Sequence, residues 1–98
     1  MAAYIIAEVA VTEPETYATY RAQTPGVVAR HGGRFIVRGG TAETLEGAGQ
    51  PGRLVVIEFP DLATARRFYQ SPEYQAIVGI RHAAATSRVV LVDGHAPS

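Results

Sequence analysis

Alternating and continuous apolar runs divide the chain into two similar halves. Residues 4–11 have the pattern of a strand that leads into a helix-start signal at Thr12. Residues 54–59 form a second such run, which leads into a helix-start signal at Asp61. Each half then continues through a helix-like stretch into another β-rich run. The repeat therefore predicts the element order βαββαβ.

The first helix is expected to begin at Thr12, because Thr12 and Glu15 have the spacing of a capping box. Pro25 falls inside the apolar stripe of this helix, so the pattern predicts a kink or a restart there. The stretch ends at Gly32 and Gly33. A glycine at that position can adopt the left-handed conformation that turns a helix into a strand.

The second half repeats this plan and adds a helix. Asp61 is the expected N-cap of the second helix. Ser71 followed by Pro72 is typical of a new N-cap and first helical residue, so a further helix is predicted over residues 73–85. The last strand is expected over residues 88–92, followed by a short mobile tail.

A long connection separates the halves. Residues 34–38 form a predicted strand, residues 41–46 are able to extend the hairpin, and residues 47–52 are a glycine-rich loop. With right-handed crossovers, the order βαββαβ gives a four-stranded antiparallel sheet with the helices on one face. The expected fold class is therefore α+β, in the ferredoxin-like arrangement.

Period-two parity separates the two faces of the predicted sheet. One face is wholly apolar and should lie under the helices: Ile5, Ala7, Val9, Val11, Val55, Ile57 and Phe59. The other, which we call the open face, mixes apolar and charged residues: Tyr4, Ile6, Glu8, Ala10, Arg34, Ile36, Arg38, Leu54, Val56 and Glu58. Because monomers rarely leave such a large apolar patch in water, we expect a stable homodimer through the open face.

Length and cysteine content restrict the class of protein. Ninety-eight residues predict one domain spanning 1–98, with an ordered core over about 3–94. There is no cysteine, which excludes disulfides, thiol nucleophiles and thiolate-bound cofactors and fits a reducing compartment. The start has no basic segment and no apolar run reaches membrane-spanning length, so we expect a cytoplasmic protein without a membrane partner.

Charge argues against a nucleic-acid partner. The nine basic and nine acidic residues balance and form no long runs, so the sequence shows no basic cluster that would bind a phosphate backbone. The RNA-recognition motif shares the element order βαββαβ, but it stacks bases on aromatic residues of the central strands. The open face carries Ile6, Glu8, Val56 and Glu58 at those places, so we set this alternative aside.

Several motifs, in their order and spacing, resemble the domain of unknown function 1330 family of the dimeric α/β-barrel superfamily. They span about residues 4–94 and comprise residues 11–15, 31–40, 46–47, 56–59, 69–74, 81 and 93–94. The resemblance implies a ferredoxin-like protomer whose sheet packs against a second sheet to form a barrel across a dimer. It implies no reaction, because superfamily members range from cofactor-free monooxygenases and isomerases to haem enzymes and small-molecule binders. At His31 the family pattern more often has tyrosine.

Two glutamates are candidate catalytic groups. Glu8 and Glu58 occupy matching places in the two halves and both belong to the open face. A desolvated carboxylate has a raised pKa and can act as a general acid or base. The alternative is that Arg34 and Arg38, on the neighbouring strand, neutralise both glutamates as structural ion pairs.

His31 is the third catalytic candidate, because an imidazole at a helix-to-strand turn can change protonation near neutral pH. The simpler alternative is an interaction with the end of the helix dipole. Neither His82 nor His95 forms a metal-ligand pair with it, and no histidine is marked as a haem ligand. We expect no metal and no cofactor.

Tyrosines and arginines are the candidate ligand-binding residues. The aromatic residues Tyr17, Tyr20, Phe68, Tyr69 and Tyr74 either line a pocket between helices and sheet or simply form the core. Arg81 can meet a ligand carboxylate in a bidentate manner, or pair with Glu73 or Glu58. The expected ligand-binding set is Tyr20, Arg34, Arg38, Tyr69 and Arg81.

Two functions remain open. One is a cofactor-independent enzyme acting on a small carbonyl or phenolic metabolite in a pocket lined by Tyr, Arg and Glu. The other is a non-catalytic dimeric module that binds a small molecule or regulates. A closed pocket with convergent polar groups favours the enzyme, and a solidly packed interior favours the module.

Overall fold

The structure, a computed structural model, describes residues 1–95. Its elements follow the order βαββααβ, so the second crossover contains two helices, as the signal at Ser71 indicated. The elements are β1 (Ala3–Val11), α1 (Pro14–Arg30), β2 (Arg34–Arg38), β3 (Arg53–Phe59), α2 (Leu62–Gln70), α3 (Pro72–Ala84) and β4 (Ala85–Asp93).

The four strands form one antiparallel sheet in the order β2-β3-β1-β4. This is the ferredoxin-like arrangement that the sequence predicted. The apolar face of β1 and β3 packs under the helices, and its residues Ile5, Val9, Ile57 and Phe59 are buried. Val11, at the end of this set, is instead 36% exposed.

Both predicted caps of the second crossover are confirmed. The Asp61 carboxylate accepts a hydrogen bond from the Thr64 amide at 2.7 Å, which satisfies one of the free amides at the start of α2. The Ser71 hydroxyl accepts from the Tyr74 amide at 3.1 Å and starts α3 in the same way. Pro72 is the first residue of α3, where an N–H would have no acceptor within the helix, so its absence costs no hydrogen bond.

The predicted start of α1 is wrong. No capping box forms at Thr12, because α1 begins at Pro14 with Glu13 as N-cap and without a side-chain cap. The amides of Thr12 and Glu13 donate instead to the Ala84 carbonyl at 2.8 and 3.0 Å. The end of α3 therefore holds the two residues that precede α1, while the free amides of the first turn of α1 gain no side-chain cap.

The predicted restart at Pro25 is also wrong, since α1 runs from Pro14 to Arg30 with Pro25 inside it. The proline cannot donate to the carbonyl four residues earlier, that of Arg21. Thr24 Oγ1 and Arg38 Nη2 donate to that carbonyl, at 3.3 and 2.7 Å. Side chains thus replace the missing helical hydrogen bond.

The helix-to-strand turn follows the prediction. Gly32 has a φ of 80° and donates its amide to the Ala29 carbonyl, while Gly33 donates to Val28. Residues 41–46 form no strand, so the suggested extension of the hairpin is wrong. The last strand is longer than expected and begins at Ala85. The mobility expected for the tail concerns residues 96–98 as well, which lie outside the described residues.

A β-bulge in β2 overturns one assignment of parity. Phe35 lies opposite Ile57, but Val37 lies opposite Val56 and Arg38 opposite Val55. The extra residue, Ile36, shifts the alternation by one, so the residues after it exchange faces. Arg38 therefore lies on the helix side of the sheet, and the expectation that it belongs to the open face is wrong.

None of the helices over residues 1–95 is both long enough and apolar enough to cross a membrane.

Candidate functional site

A cavity lies between the helices and the covered face of the sheet. Its walls are mostly apolar and include Ile5 and Val9 of β1, Val55 and Ile57 of β3, and Val28 of α1. Its volume is about 40 Å³, room for about one water molecule. The charged side chains that line it are arginines in two groups: one arginine that is hydrogen-bonded to β4, and three from α1, β2 and β3.

The first group is centred on Arg81 of α3. Arg81 is 4% exposed and donates a hydrogen bond to the Ser87 hydroxyl of β4. Beside it, the hydroxyls of Tyr20 and Tyr74 lie 2.7 Å apart and share one hydrogen bond. Tyr20, Tyr74 and Arg81 all line the cavity, so we call them the phenol–arginine centre.

Arg81 has no carboxylate partner within residues 1–95. Its Nε is buried and donates to nothing there, which is costly for a group that is always charged. Burial disfavours the charged form, but the Tyr74 and Tyr20 hydroxyls outweigh burial and hold the pKa of Arg81 above its ordinary value. The centre is thus a buried positive charge that faces a cavity.

Tyr20 stays protonated in this setting. Burial, followed by the neighbouring Tyr74, raises the pKa of Tyr20 far above its ordinary value. The Tyr20 hydroxyl is therefore a hydrogen-bond donor or acceptor, and never an anion, near neutral pH.

The second polar group contains three arginines, Arg21, Arg38 and Arg53, which also line the cavity. The Arg38 guanidinium lies 4.6 Å from the Phe35 ring centroid, and that of Arg53 lies 6.0 Å from the Tyr17 centroid. Partial burial, and then the charges of Arg21 and Arg53, lower the pKa of Arg38. We call these three residues the arginine cluster.

The two candidate glutamates lie on the open face and do not line the cavity. Glu8 lies opposite Leu54, and Glu58 opposite Tyr4, so four residues of β1, or about 13 Å, separate them. The expected pocket of Tyr, Arg and Glu therefore lacks its glutamates. Parity placed both carboxylates on one face, but it could not set the distance between them.

Each glutamate has a structural partner. Glu58 pairs with Arg34 at 2.8 Å and accepts from the Tyr4 hydroxyl at 3.3 Å. Glu8 accepts from the Gly52 amide at 3.1 Å. The ion-pair alternative therefore describes Arg34 and Glu58, whereas Arg38 neutralises neither glutamate because the bulge moves it to the other face.

His31 lies at the junction of α1 and α3 and does not line the cavity. Its Nε2 is 3.3 Å from Glu73, which also pairs with Arg30 at 2.6 Å. The hydrogen bond from Arg30 holds the pKa of Glu73 below its ordinary value. The ring packs edge-on against Phe68, so the position of His31 is that of a helix-end contact.

The structure thus brings four of the predicted ligand-binding residues to one cavity: Tyr20, Arg38, Tyr69 and Arg81. Arg34 lies on the open face instead. Sequence reasoning missed Arg53, although Arg53 shares its side of β3 with Val55 and Ile57. It also missed the contact between Arg81 and Ser87, which needs the register of β4. Among residues 1–95, no three His, Asp or Glu side chains converge as a metal site would require.

The comparison with known families agrees with the motifs. A family model described as a domain of unknown function, DUF1330, matches residues 2–95. The chain belongs to the DUF1330 family. This confirms the family that the sequence motifs indicated, and the fold confirms the expected ferredoxin-like protomer. None of the curated proteins compared with it is a significant match.

Solved structures share the fold of this DUF1330 protein. A protein of unknown function from Rhodopseudomonas palustris is 22% identical with a TM-score of 0.79, covering 98% of this chain and 84% of that one. SnoaB, a cofactor-independent oxygenase from Streptomyces nogalater, is 19% identical with a TM-score of 0.69, covering 98% and 95%. An antibiotic biosynthesis monooxygenase is 16% identical with a TM-score of 0.53, covering 98% and 100%. At these identities the likeness shows a common fold only.

Proposed function

We propose that this DUF1330 protein is a cofactor-independent enzyme acting on a small carbonyl or phenolic metabolite, which it binds in the cavity as an oxyanion. The observation that carries the proposal is the buried, carboxylate-free guanidinium of Arg81 beside the Tyr20 and Tyr74 hydroxyls. A ligand oxyanion supplies the counter-charge that residues 1–95 do not.

The chemistry follows from the charge. A preorganised guanidinium and a protonated phenol stabilise an enolate or phenolate more strongly in a dry cavity than water does. They therefore favour loss of a proton from a phenol, or from the carbon beside a carbonyl, with the proton released to water. Within the described residues the cavity is lined by no carboxylate or imidazole that could act as the base. The substrate consequently has to be acidic enough to ionise without one.

Access requires movement, because the cavity holds about 40 Å³ and a metabolite needs several times more. Tyr69 lines this cavity and also two surface clefts beside β4. Tyr69 is 36% exposed, and its hydroxyl makes no hydrogen bond within the described residues. We propose that rotation of Tyr69 opens the cavity.

The same small volume is the observation that favours the second candidate function, a non-catalytic module that retains a small anion. Both functions require binding at the phenol–arginine centre, and only the enzyme converts what it binds. SnoaB, of similar fold, is a cofactor-independent oxygenase, which supports the enzyme as the first choice.

A chromogenic phenol tests the central claim. Para-nitrophenol absorbs differently as the phenol and as the phenolate, so titration below its own pKa reports which form is bound. We expect the wild type to bind it as the phenolate and Arg81→Met to lose this spectral change. Arg67→Gln, which removes a cation of α2 that does not line the cavity, is the matched control.

Two results contradict the proposal: binding of the neutral phenol, and a spectral change that survives in a folded Arg81→Met variant. Should Arg81→Met fail to fold, Tyr20→Phe serves, because it removes one donor and keeps the shape. Incubation in deuterated water then distinguishes the two functions. An enzyme should exchange the acidic hydrogen of a bound enolisable ketone for deuterium faster than buffer does, and a non-catalytic module should not.

We also propose that the protein pairs with a second copy of itself through the open face. Ile6, Val37, Val90 and Val92 are 38–40% exposed, and the pairings of β1 and β3 place them on that face. Half-buried Leu54 and Val56 complete the patch. An interface of ordinary size buries about 800 Å² on each partner, and a four-stranded face can supply such an area. The resemblance to the dimeric α/β-barrel superfamily supports the same partner.

A further inference from the structure

The arginine cluster has no role in the proposed chemistry at Arg81. Arg21 lies on α1, Arg38 on β2 and Arg53 on β3, so three separate elements deliver the three arginine side chains to the wall of one cavity. Arg21 and Arg53 also line a surface cleft beside Tyr17, which connects the cluster with solvent.

Local structure makes room for this gathering of charge. Gly39, the residue after Arg38, has a φ of 72°, and a Cβ there would overlap the Arg53 guanidinium. The Arg53 side chain therefore passes directly beside the chain at Arg38. In addition, the bulge in β2 turns Arg38 toward the helices, where it reaches the Arg21 carbonyl.

No carboxylate within residues 1–95 compensates the cluster. The ion pairs there are Arg30 and His31 with Glu73, and Arg34 with Glu58. The Nε of Arg53 is buried without a hydrogen-bond partner. The three like charges line one cavity and repel one another, and an anion bound among them would offset that repulsion.

We infer that Arg21, Arg38 and Arg53 form a second anion subsite, which receives a carboxylate or phosphate group at the opposite end of the cavity from Arg81. The inference rests on the proposed function for the first oxyanion. It adds that the substrate carries two anionic groups. Guanidinium groups bind such oxyanions in a bidentate manner, and three of them define a directional site.

The register gives the spacing between the subsites. Arg53 of β3 and Ser87 of β4 both lie opposite Val9 of β1, on the same rung of the sheet. Two strand spacings, about 10 Å, separate their Cα atoms. Because Ser87 accepts from Arg81, this rung joins the two subsites. A span of this order suits two oxyanions joined through one aromatic ring, in the cavity as opened by rotation of Tyr69.

Competition between three probes tests the inference: benzoate with one carboxylate, terephthalate with two across a ring, and inorganic phosphate. Calorimetric titrations are done at one ionic strength, so that general screening is constant. We expect the wild type to bind terephthalate at least about tenfold more tightly than benzoate. Arg21→Gln and Arg53→Gln should abolish that difference, so that terephthalate binds no more tightly than benzoate. Arg67→Gln, with the same loss of charge on α2, should preserve it.

The outcomes separate this inference from the proposed function. Equal affinities for benzoate and terephthalate in the wild type overturn the second subsite and leave the first. Binding of phosphate that Arg53→Gln abolishes, with no binding of either aromatic acid, keeps the anion subsite and contradicts the proposed function. A tenfold preference that persists in both variants shows that the arginines have only a structural role and overturns the inference. Absence of binding by all three probes overturns both.

Discussion

The guanidinium of Arg38 donates to the carbonyl oxygen of Arg21 at 2.7 Å. This carbonyl is the one that Pro25 leaves without its helical partner, because proline has no N–H to donate. Arg38 reaches it only because the bulge at Ile36 turns β2 by one residue. A proline inside α1 and a bulge in β2 are thus connected by one hydrogen bond.

A double-mutant cycle tests this connection. Pro25→Ala restores an amide that can donate to the Arg21 carbonyl, so the hydrogen bond from Arg38 should then contribute less to the free energy of unfolding. We expect Arg38→Gln to lower the free energy of unfolding by about 1 kcal/mol in the wild type and by clearly less in the Pro25→Ala background. Urea unfolding at one protein concentration measures both. Equal losses in the two backgrounds would mean that Pro25 and Arg38 act independently.

The bulge also explains which residues the sequence patterns assigned to the correct face of the sheet and which they did not. Apolar parity placed Ile5 and Ile57 under the helices correctly, because a strand alternates strictly while its pairing is regular. Arg38 was misplaced because one inserted residue reverses every later position. Nothing local in residues 34–38 marks a bulge; the pairing with β3 produces it.

Gly33 is predicted to be intolerant of a side chain. A Cβ there would lie 2.6 Å from the ring of Phe59, which is 1% exposed and cannot move aside. We expect Gly33→Ala to lower the free energy of unfolding by about 1 to 3 kcal/mol. Gly79→Ala is the matched control: it lies within α3 with open space around it, so alanine should raise stability by about 0.5 to 1 kcal/mol. Changes of the same sign in the two variants would contradict this account.

The proposed dimer predicts an effect at the centre of the open face. Ile6 lies between Val56 of β3 and Val90 of β4. In Ile6→Glu a charge would be buried at the interface, which costs several times the thermal energy, so the variant should be a monomer at micromolar concentration. Sedimentation equilibrium of the wild type and the variant measures the masses.

Leu45→Glu is the control for the dimer. Leu45 is 88% exposed in the connection before β3, so the same change of chemistry there should leave a dimer intact. A wild-type monomer, or an Ile6→Glu variant that is still a dimer, would rule out pairing through the open face.

The candidate site was predictable in its residue types and not in its grouping. Tyr20, Tyr69 and Arg81 lie on three different helices. Helical spacing predicts that each lies on the face of its own helix that meets the sheet. The relation of Arg81 to Ser87 depends on the register of β4 and on the packing of α3, which no short pattern encodes. The same limit applies to Glu8 and Glu58. Their position on one face was predicted correctly, but the distance between them depends on the strand register.

The raised pKa of Tyr20 predicts a loss of stability at alkaline pH. Burial, and then Tyr74, keep the proton on Tyr20 in the folded state, whereas the unfolded chain releases it above about pH 10. Because the unfolded state then binds fewer protons, the free energy of unfolding should fall by about 1.4 kcal/mol per pH unit above that point. Urea unfolding between pH 8 and 11 should show this slope in the wild type and in Tyr69→Phe, which removes a partly exposed phenol. Tyr20→Phe should show a shallower slope; parallel slopes in all three would assign the alkaline transition to another group.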